Sequence, residues 1–212
     1  MTHPRLLLAD DHRIVVEGLR SILIPEYELV GIVEDGRELV DAAKRLKPDV
    51  IVADIAMPRL NGLDAVAQLR KEGCPAKVVF LTMHKDATYA AKALEMGASG
   101  YVLKHSASTE LLMAIRAALS GGTYVTSEIA ESMRRAAETR TASLEAPALT
   151  PRQREVLQLF AEGRSAKEVA TVLHISTRTA ENHKARIMDV LCISTTADLV
   201  QYALRHGIIA TD

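Results

Sequence analysis

The chain has 212 residues, 48% of them hydrophobic, with no tryptophan and a formal net charge of -1. That length holds one large domain or two small ones, and the balanced charge removes any global basic signal for nucleic acid while leaving a regional one open. No run approaches the ~18 apolar residues of a membrane span, no signal segment opens the chain, and Cys74 and Cys192 stand too far apart for a metal or redox motif, so a cytoplasmic protein without a membrane partner is expected.

Residues 5–9 form an apolar run that ends in Asp10-Asp11, and residues 14–23 follow with helical spacing. Residues 29–33 read as a second strand ending in Glu34-Asp35-Gly36, and residues 38–46 as a second helix. Asp49-Val-Ile-Val-Ala-Asp54 is an apolar run closed by a carboxylate and bounded by Pro48 and Pro58, the pattern of a buried parallel strand. A helix is expected over about 63–72 and a fourth strand over 77–82. An alanine-rich helix over about 86–96 stops at Gly97. A fifth strand over 99–103 ends in Lys104, and a helix over about 108–119 precedes Gly121-Gly122. Five alternations of strand and helix imply an α/β unit with a five-stranded parallel sheet covered on both faces, its crossovers right-handed.

Parallel strands bring their carboxyl ends to one edge, where ligands bind in open α/β sheets. Asp10, Asp11, Asp54, Thr82 and Lys104 all fall at expected strand ends. Each has an ordinary reading: Asp10-Asp11 as a helix cap, Asp54 as a turn residue, Lys104 as a solvated lysine. Their coincidence favours a shared pocket. Three carboxylates in one pocket repel unless a cation offsets them, and a hard divalent ion such as Mg²⁺ prefers oxygen ligands. The set suits a phosphoryl group received on Asp54. Asp10, Asp11, Asp54 and the backbone carbonyl of Ala56 would hold the metal, with Lys104 and Thr82 assisting.

Residues 5–120 resemble a response-regulator receiver domain through Asp10-Asp11, Asp54-Ile-Ala-Met-Pro58, Thr82 and Gly97-Ala-Ser-Gly-Tyr-Val-Leu-Lys104. The resemblance implies a flavodoxin-like fold and phosphoryl transfer from a sensor histidine kinase to Asp54. It also implies reorientation of Thr82 and a following movement of Tyr101 as an aromatic switch. Without it, Tyr101 reads as a partly buried aromatic at a sheet edge. Departures from the common pattern are Ala56 two residues after the acceptor, Met83 after the switch threonine and His105 in place of proline.

The receiver is expected over 1–121 and a linker over 122–147, with a short helix at 127–138 and a flexible tether at 139–148. Residues 148–212 show helical patterns only. Thr150 caps a helix with Pro151 at its first position, ending at Gly163. Ser165 caps a second through Leu173, and His174-Ile175-Ser176 makes a turn. A third helix, capped by Thr177 or Ser176, runs from Arg178 to about Leu191, and a fourth spans about 195–206. Two short helices joined by a tight turn form a helix-turn-helix, whose second helix enters the major groove of double-stranded DNA. The candidate contact set is Arg178, Thr179, Glu181, Asn182, Lys184, Ala185 and Arg186, with Lys167 nearby; Arg152, Arg154 and Arg164 add positive charge. A protein-binding helical domain is the competing reading.

Leu149-Thr-Pro-Arg-Gln-Arg-Glu-Val-Leu157, Ala161-Glu-Gly-Arg-Ser-Ala-Lys-Glu-Val-Ala170 and Ile175-Ser-Thr-Arg-Thr-Ala-Glu-Asn-His-Lys184 are similar to a LuxR-type DNA-binding domain. The paired halves resemble a NarL/FixJ-type response regulator over nearly the whole chain. That resemblance implies a phosphorylation-controlled, non-enzymatic transcription factor that binds DNA as a homodimer and has RNA polymerase as a further partner. Glu181 stands where a lysine is frequent; Gln153, Ala166, Val190 and Cys192 are further departures, and His183 matches a frequent histidine. Two alternatives stay open: a DNA-binding regulator whose receiver acts without phosphorylation, and a phosphate-accepting protein-interaction module.

Overall fold

A computed structural model describes residues 3–83, 85, 87–139, 149–191 and 193–209. These fall into two compact units, 3–139 and 149–209. The first alternates β1 (Arg5–Ala9), α1 (Arg13–Leu23), β2 (Glu28–Val33), α2 (Gly36–Leu46), β3 (Val50–Ala53), α3 (Gly62–Lys71), β4 (Lys77–Thr82), α4 (Ala87–Glu95), β5 (Gly100–Leu103) and α5 (Ala107–Leu119). A 3-10 turn, Lys104–Ser106, joins β5 to α5. β6 (Tyr124–Val125) and α6 (Ser127–Thr139) complete the unit.

All strand pairs are parallel, in the order β2-β1-β3-β4-β5-β6. The alternation of side chains along each strand feeds two cores. Leu7, Ile51 and Phe80 pack with Leu39 of α2, Val66 of α3 and Ala90 of α4. Leu6, Leu8, Val52 and Leu81 face the other way, onto Leu19 of α1 and Leu111 and Ile115 of α5. Burial on both faces explains why these strands are continuously apolar.

The sheet has a sixth strand beyond the five expected. Tyr124 and Val125 pair with Gly100 and Tyr101, and Thr126 N–H donates to the Tyr101 carbonyl at 3.0 Å. Two residues are too few to show an alternating pattern in sequence. The helix expected within the linker is present as α6, and its Ile129 is fully buried in the core that holds Tyr101 and Tyr89. Of the expected tether, residues 140–148 lie outside the described residues, as does Cys192.

The second unit contains α7 (Pro151–Ala161), α8 (Ala166–Leu173), α9 (Thr177–Leu191) and α10 (Thr196–Arg205). Val156, Leu159, Val169, Ala180, Ile187 and Leu199 form its core. The caps are encoded locally. Thr150 and Gln153 close a capping box on α7, Ser165 and Glu168 one on α8, and Thr195 and Asp198 one on α10. Gln153 therefore preserves the capping role that a glutamate would serve. His174 ends α8 in the left-handed region at φ 53°, and Ser176 Oγ accepts from Thr179 N–H at 3.0 Å, which identifies Ser176 as the α9 cap. Among the described residues no single helix is long and apolar enough to cross a membrane.

Candidate functional site

β1, β3 and β5 deliver Asp10, Asp54 and Lys104 to one edge of the sheet because each carries its polar residue directly after the last apolar position. Lys104 Nζ lies 2.8 Å from Asp10 Oδ2 and 2.7 Å from Asp54 Oδ2. Side-chain exposure is 1% for Asp10, 4% for Asp54 and 7% for Lys104, so this ion triad is screened from solvent. The other oxygen of Asp54, Oδ1, accepts from Ile55 N–H at 2.6 Å and Ala56 N–H at 3.3 Å. Asp10 Oδ1 accepts from His12 N–H at 2.9 Å. Thr82 closes β4, wholly buried and in register with Leu103.

Burial pushes the Asp54 carboxyl above the usual carboxylate range, although Lys104 pulls it down; Asp10 adds to the rise. Burial alone would lower the Lys104 ammonium, but the attraction of Asp54 and its bond with Asp10 outweigh that and raise it. The net effect is a firmly protonated lysine facing an Asp54 carboxylate that costs energy to keep charged.

Asp10, Asp11, His12 and Asp54 each offer a donor atom, all within 4.8 Å of one another. Asp10 Oδ2 and Asp11 Oδ1 are both buried. Their close neighbours are cationic or potentially so: Lys104 Nζ for the first, and His12 Nδ1 at 3.0 Å for the second. Buried carboxylate oxygens gathered in one acidic cluster suit a hard divalent cation. His12 was not foreseen. Its signal was its adjacency to Asp10-Asp11, and its ring nitrogen is a weaker match to such an ion than the oxygens are.

Tyr101 is fully buried between β4 and β6 rather than partly exposed at an edge. The sixth strand is the reason: it makes β5 an interior strand.

On α9, Arg178, Glu181, Asn182, Ala185 and Arg186 are exposed, as is Lys167 on α8. Two members of the expected set are engaged within the unit. Thr179 Oγ1 bonds Ser176 Oγ at 2.7 Å. Lys184 Nζ donates to Thr196 Oγ1 at 3.0 Å and stands 4.9 Å from the centroid of the Phe160 ring. The expected auxiliary arginines are likewise tied down. Arg152 donates to Glu155 and to the Leu173 carbonyl, Arg154 to the Leu149 carbonyl, and Arg164 to Glu162. Arg152 thereby ties the start of α7 to the end of α8, a link that sequence spacing does not show.

Two families cover the two units. Residues 6–116 match the response regulator receiver domain, and residues 147–203 match the bacterial regulatory proteins of the luxR family. The chain belongs to the NarL/FixJ family of response regulators. It is 37% identical over 208 residues to the transcriptional regulatory protein MctR of Rhizobium johnstonii, covering 97% of this chain and 95% of that one. Among solved structures it resembles RcsB of Salmonella enterica serovar Typhimurium bound to promoter P1flhDC in the presence of the phosphomimetic BeF3⁻. That match has a TM-score of 0.61 and 26% identity over 95% of this chain and 98% of RcsB. The structure of two RcsB dimers bound to two parallel DNAs matches with a TM-score of 0.60 and 27% identity over the same shares. This response regulator is thus a DNA-binding protein of a two-component phosphorelay, with signalling and DNA binding rather than enzymatic turnover as its role. Its carboxylate–histidine cluster is of the kind receivers use for a divalent cation.

Proposed function

We propose that a sensor histidine kinase donates a phosphoryl group to Asp54 of this response regulator, and that the modified protein binds double-stranded DNA as a homodimer. The observation that carries this reading is Lys104 Nζ held between Asp10 and Asp54, at 2.8 and 2.7 Å, in a buried pocket. A carboxylate oxygen of Asp54 attacks phosphorus as the bond from phosphorus to the donor histidine nitrogen breaks. The electron pair leaves with that nitrogen, which takes up a proton from solvent. Ile55 and Ala56 N–H hold Oδ1 and so fix the carboxylate plane for attack. Lys104 neutralises charge on the phosphoryl oxygens, and Thr82 supplies a hydroxyl to one of them. Asp10, Asp11, Asp54 and the Ala56 carbonyl would hold Mg²⁺, which when bound supplies positive charge against the transferred oxygens. Tyr101 follows Thr82 as the switch aromatic and repacks against its buried neighbours.

The exposed face of α9 supplies the DNA contacts. Arg178 and Arg186, with Lys167 on α8, meet phosphates or guanine edges; Asn182 suits adenine and Glu181 cytosine N4, with Ala185 offering apolar contact. Thr179 and Lys184, from within the same helix, set it in place for those contacts. RNA polymerase is a further partner of a protein acting in transcription, in the cytoplasm.

The test compares wild type with Asp54→Asn, each treated with a small phosphodonor and Mg²⁺, in selection from genomic DNA fragments. Wild type should acquire label and show a treatment-dependent gain in affinity for a restricted set of fragments. Asp54→Asn should show neither. Identical fragment binding and regulation by both proteins under inducing conditions would end the switch reading. Absence of any enriched fragment would favour a protein-binding role for the helical unit.

A further inference from the structure

The loop between β3 and α3, residues 54–61, carries Asp54 and the two backbone amides that hold its Oδ1. It is short and closed on itself: Gly62 N–H donates to the Ile55 carbonyl at 2.8 Å, and Leu60 N–H to the Pro58 carbonyl at 2.7 Å. At its far end Arg59 adopts φ 65°, in the left-handed region that side chains other than glycine rarely occupy. Such a conformation persists only where the surroundings impose it.

Those surroundings lie at the start of α2. The Arg59 guanidinium donates to the Asp35 carboxylate and, at 3.0 Å, to Glu38 Oε1. Asp35 is 1% exposed and already caps α2 by accepting from Arg37 N–H at 2.8 Å and Glu38 N–H at 2.9 Å. A buried carboxylate needs a counter-charge, and Arg59 supplies it. The backbone is pressed close at the same place. A Cβ on Gly36 would lie 1.9 Å from the Leu60 carbonyl oxygen, and one on Gly62 2.0 Å from that of Asp54.

We infer that Arg59 is a positioning residue: by clamping the β3–α3 loop to the buried Asp35 cap, it holds Asp54 and the Ala56 backbone in the geometry that receives a divalent cation and a phosphoryl group. The guanidinium of Arg59 reaches Asp35 and Glu38 on the α2 side, so its hold on Asp54 runs through the loop. Without Arg59 the loop keeps the core anchors of Ile55, Met57 and Leu60 but loses its charged tie to α2, so the backbone around Ala56 is less tightly fixed. The inference rests on the proposed role of Asp54.

The experiment uses the full chain with Mg²⁺ alone, followed by calorimetric titration, and then with Mg²⁺ and a small phosphodonor, followed by the rate of Asp54 labelling across Mg²⁺ concentrations. Arg59→Ala removes the clamp and keeps the backbone penalty; Arg59→Gly removes both; Arg59→Lys keeps a cation. Loss of the clamp should weaken Mg²⁺ binding by about tenfold, the lower end for losing a group that supports a metal ligand. It should shift the half-saturating Mg²⁺ for labelling equally, with the limiting rate at saturating Mg²⁺ reduced far less. Arg59→Gly should behave as Arg59→Ala, although its backbone is relaxed, and Arg59→Lys should recover part of the affinity. Wild-type Mg²⁺ affinity in Arg59→Ala or Arg59→Gly overturns the inference while leaving the role of Asp54 intact. A wild-type protein that neither binds Mg²⁺ nor labels at Asp54 overturns both.

Discussion

The two units present their functional groups in opposite ways. In the receiver, Asp10, Asp54, Thr82 and Lys104 are buried and drawn from four strand ends, and the three charged groups are held by one another. In the helical unit the candidate contacts lie on the outer face of α9, with Lys167 on α8, and most of them are exposed. A buried polar constellation must be satisfied internally, so its members constrain one another and the fold around them. An exposed face imposes no such mutual constraint, and its residues can vary without disturbing the core. The receiver should therefore lose stability when its site is changed, and the helical unit should lose function while keeping its fold.

The largest effect is expected where the site meets the backbone. In Gly62→Ala the added methyl would fall 2.0 Å from the Asp54 carbonyl oxygen, a distance that forces the β3–α3 loop away from α3. The receiver should lose on the order of 4 kcal/mol or more, the range of severe backbone and packing lesions. Urea unfolding followed by circular dichroism should show the receiver transition moved to lower denaturant and the helical transition unmoved. Equal displacement of both would break the contrast between the units.

Next comes Lys104→Ala. It leaves Asp10 and Asp54 facing each other without their common cation, and breaking one side of a buried ion pair costs about 3 kcal/mol or more. The folded pKa of Lys104 is raised, so its contribution is complete below its unfolded pKa and fades only as pH rises through the folded value. At neutral pH the full deficit should appear. The folded pKa of Asp54 is also raised, so its charged form opposes folding above that value, and the opposition lifts as pH falls toward its unfolded pKa. The deficit of Lys104→Ala should narrow on acidification through that window, measured as midpoint denaturant against pH. A deficit that widens instead would show that the triad is not held as described.

These sites also show what a sequence can and cannot reveal. Asp10, Asp54, Thr82 and Lys104 were legible because a polar residue at the end of a continuously apolar strand is conspicuous, and parallel topology then brings such ends together. Arg59 was not, since its partners Asp35 and Glu38 lie 24 and 21 residues away and nothing in a single arginine announces a left-handed backbone. β6 escaped because two residues carry no period, and its consequence, the complete burial of Tyr101, escaped with it. In the helical unit the capping boxes at Thr150, Ser165 and Thr195 follow local rules and mark helix starts. The engagement of Arg152 with the Leu173 carbonyl depends on how α7 meets α8 and has no local signature.

A smaller effect should follow from Ile129→Ala. Ile129 is fully buried in the core that also holds Tyr101 and Tyr89, so its truncation leaves a cavity under α6 and should cost about 2 kcal/mol or somewhat more. Around it, Thr126 Oγ1 accepts from Leu103 N–H at 3.3 Å and donates to Glu110 at 2.6 Å, and Lys85 meets Glu128 at 3.0 Å. The segment after α5 is thus joined to the receiver by core packing as well as by surface pairs. If Ile129→Ala leaves the receiver transition unchanged in urea, α6 contributes nothing to the stability of that unit.

The smallest effect is the most informative about α9, because Lys184 blurs the contrast between the two units. Its charge lies on a helix expected to face DNA, but its Nζ reaches Thr196 and the Phe160 ring, linking α9 to α10 and α7. A partly exposed cation–π contact and one neutral acceptor are together worth about 1 kcal/mol. Lys184→Ala should therefore lower the helical transition by about that amount. Arg178 is exposed, and Arg178→Ala should leave stability within about 0.5 kcal/mol. On a selected DNA fragment the order reverses. Loss of a phosphate-contacting arginine reduces the slope of log affinity against log salt by about 1, whereas a lysine occupied inside its own domain leaves that slope nearly unchanged. If Lys184→Ala lowers the slope as Arg178→Ala does, the ammonium serves Phe160 and a phosphate together through its remaining N–H groups. The helix then carries a residue that is structural and functional at once, as the buried lysine of the receiver does.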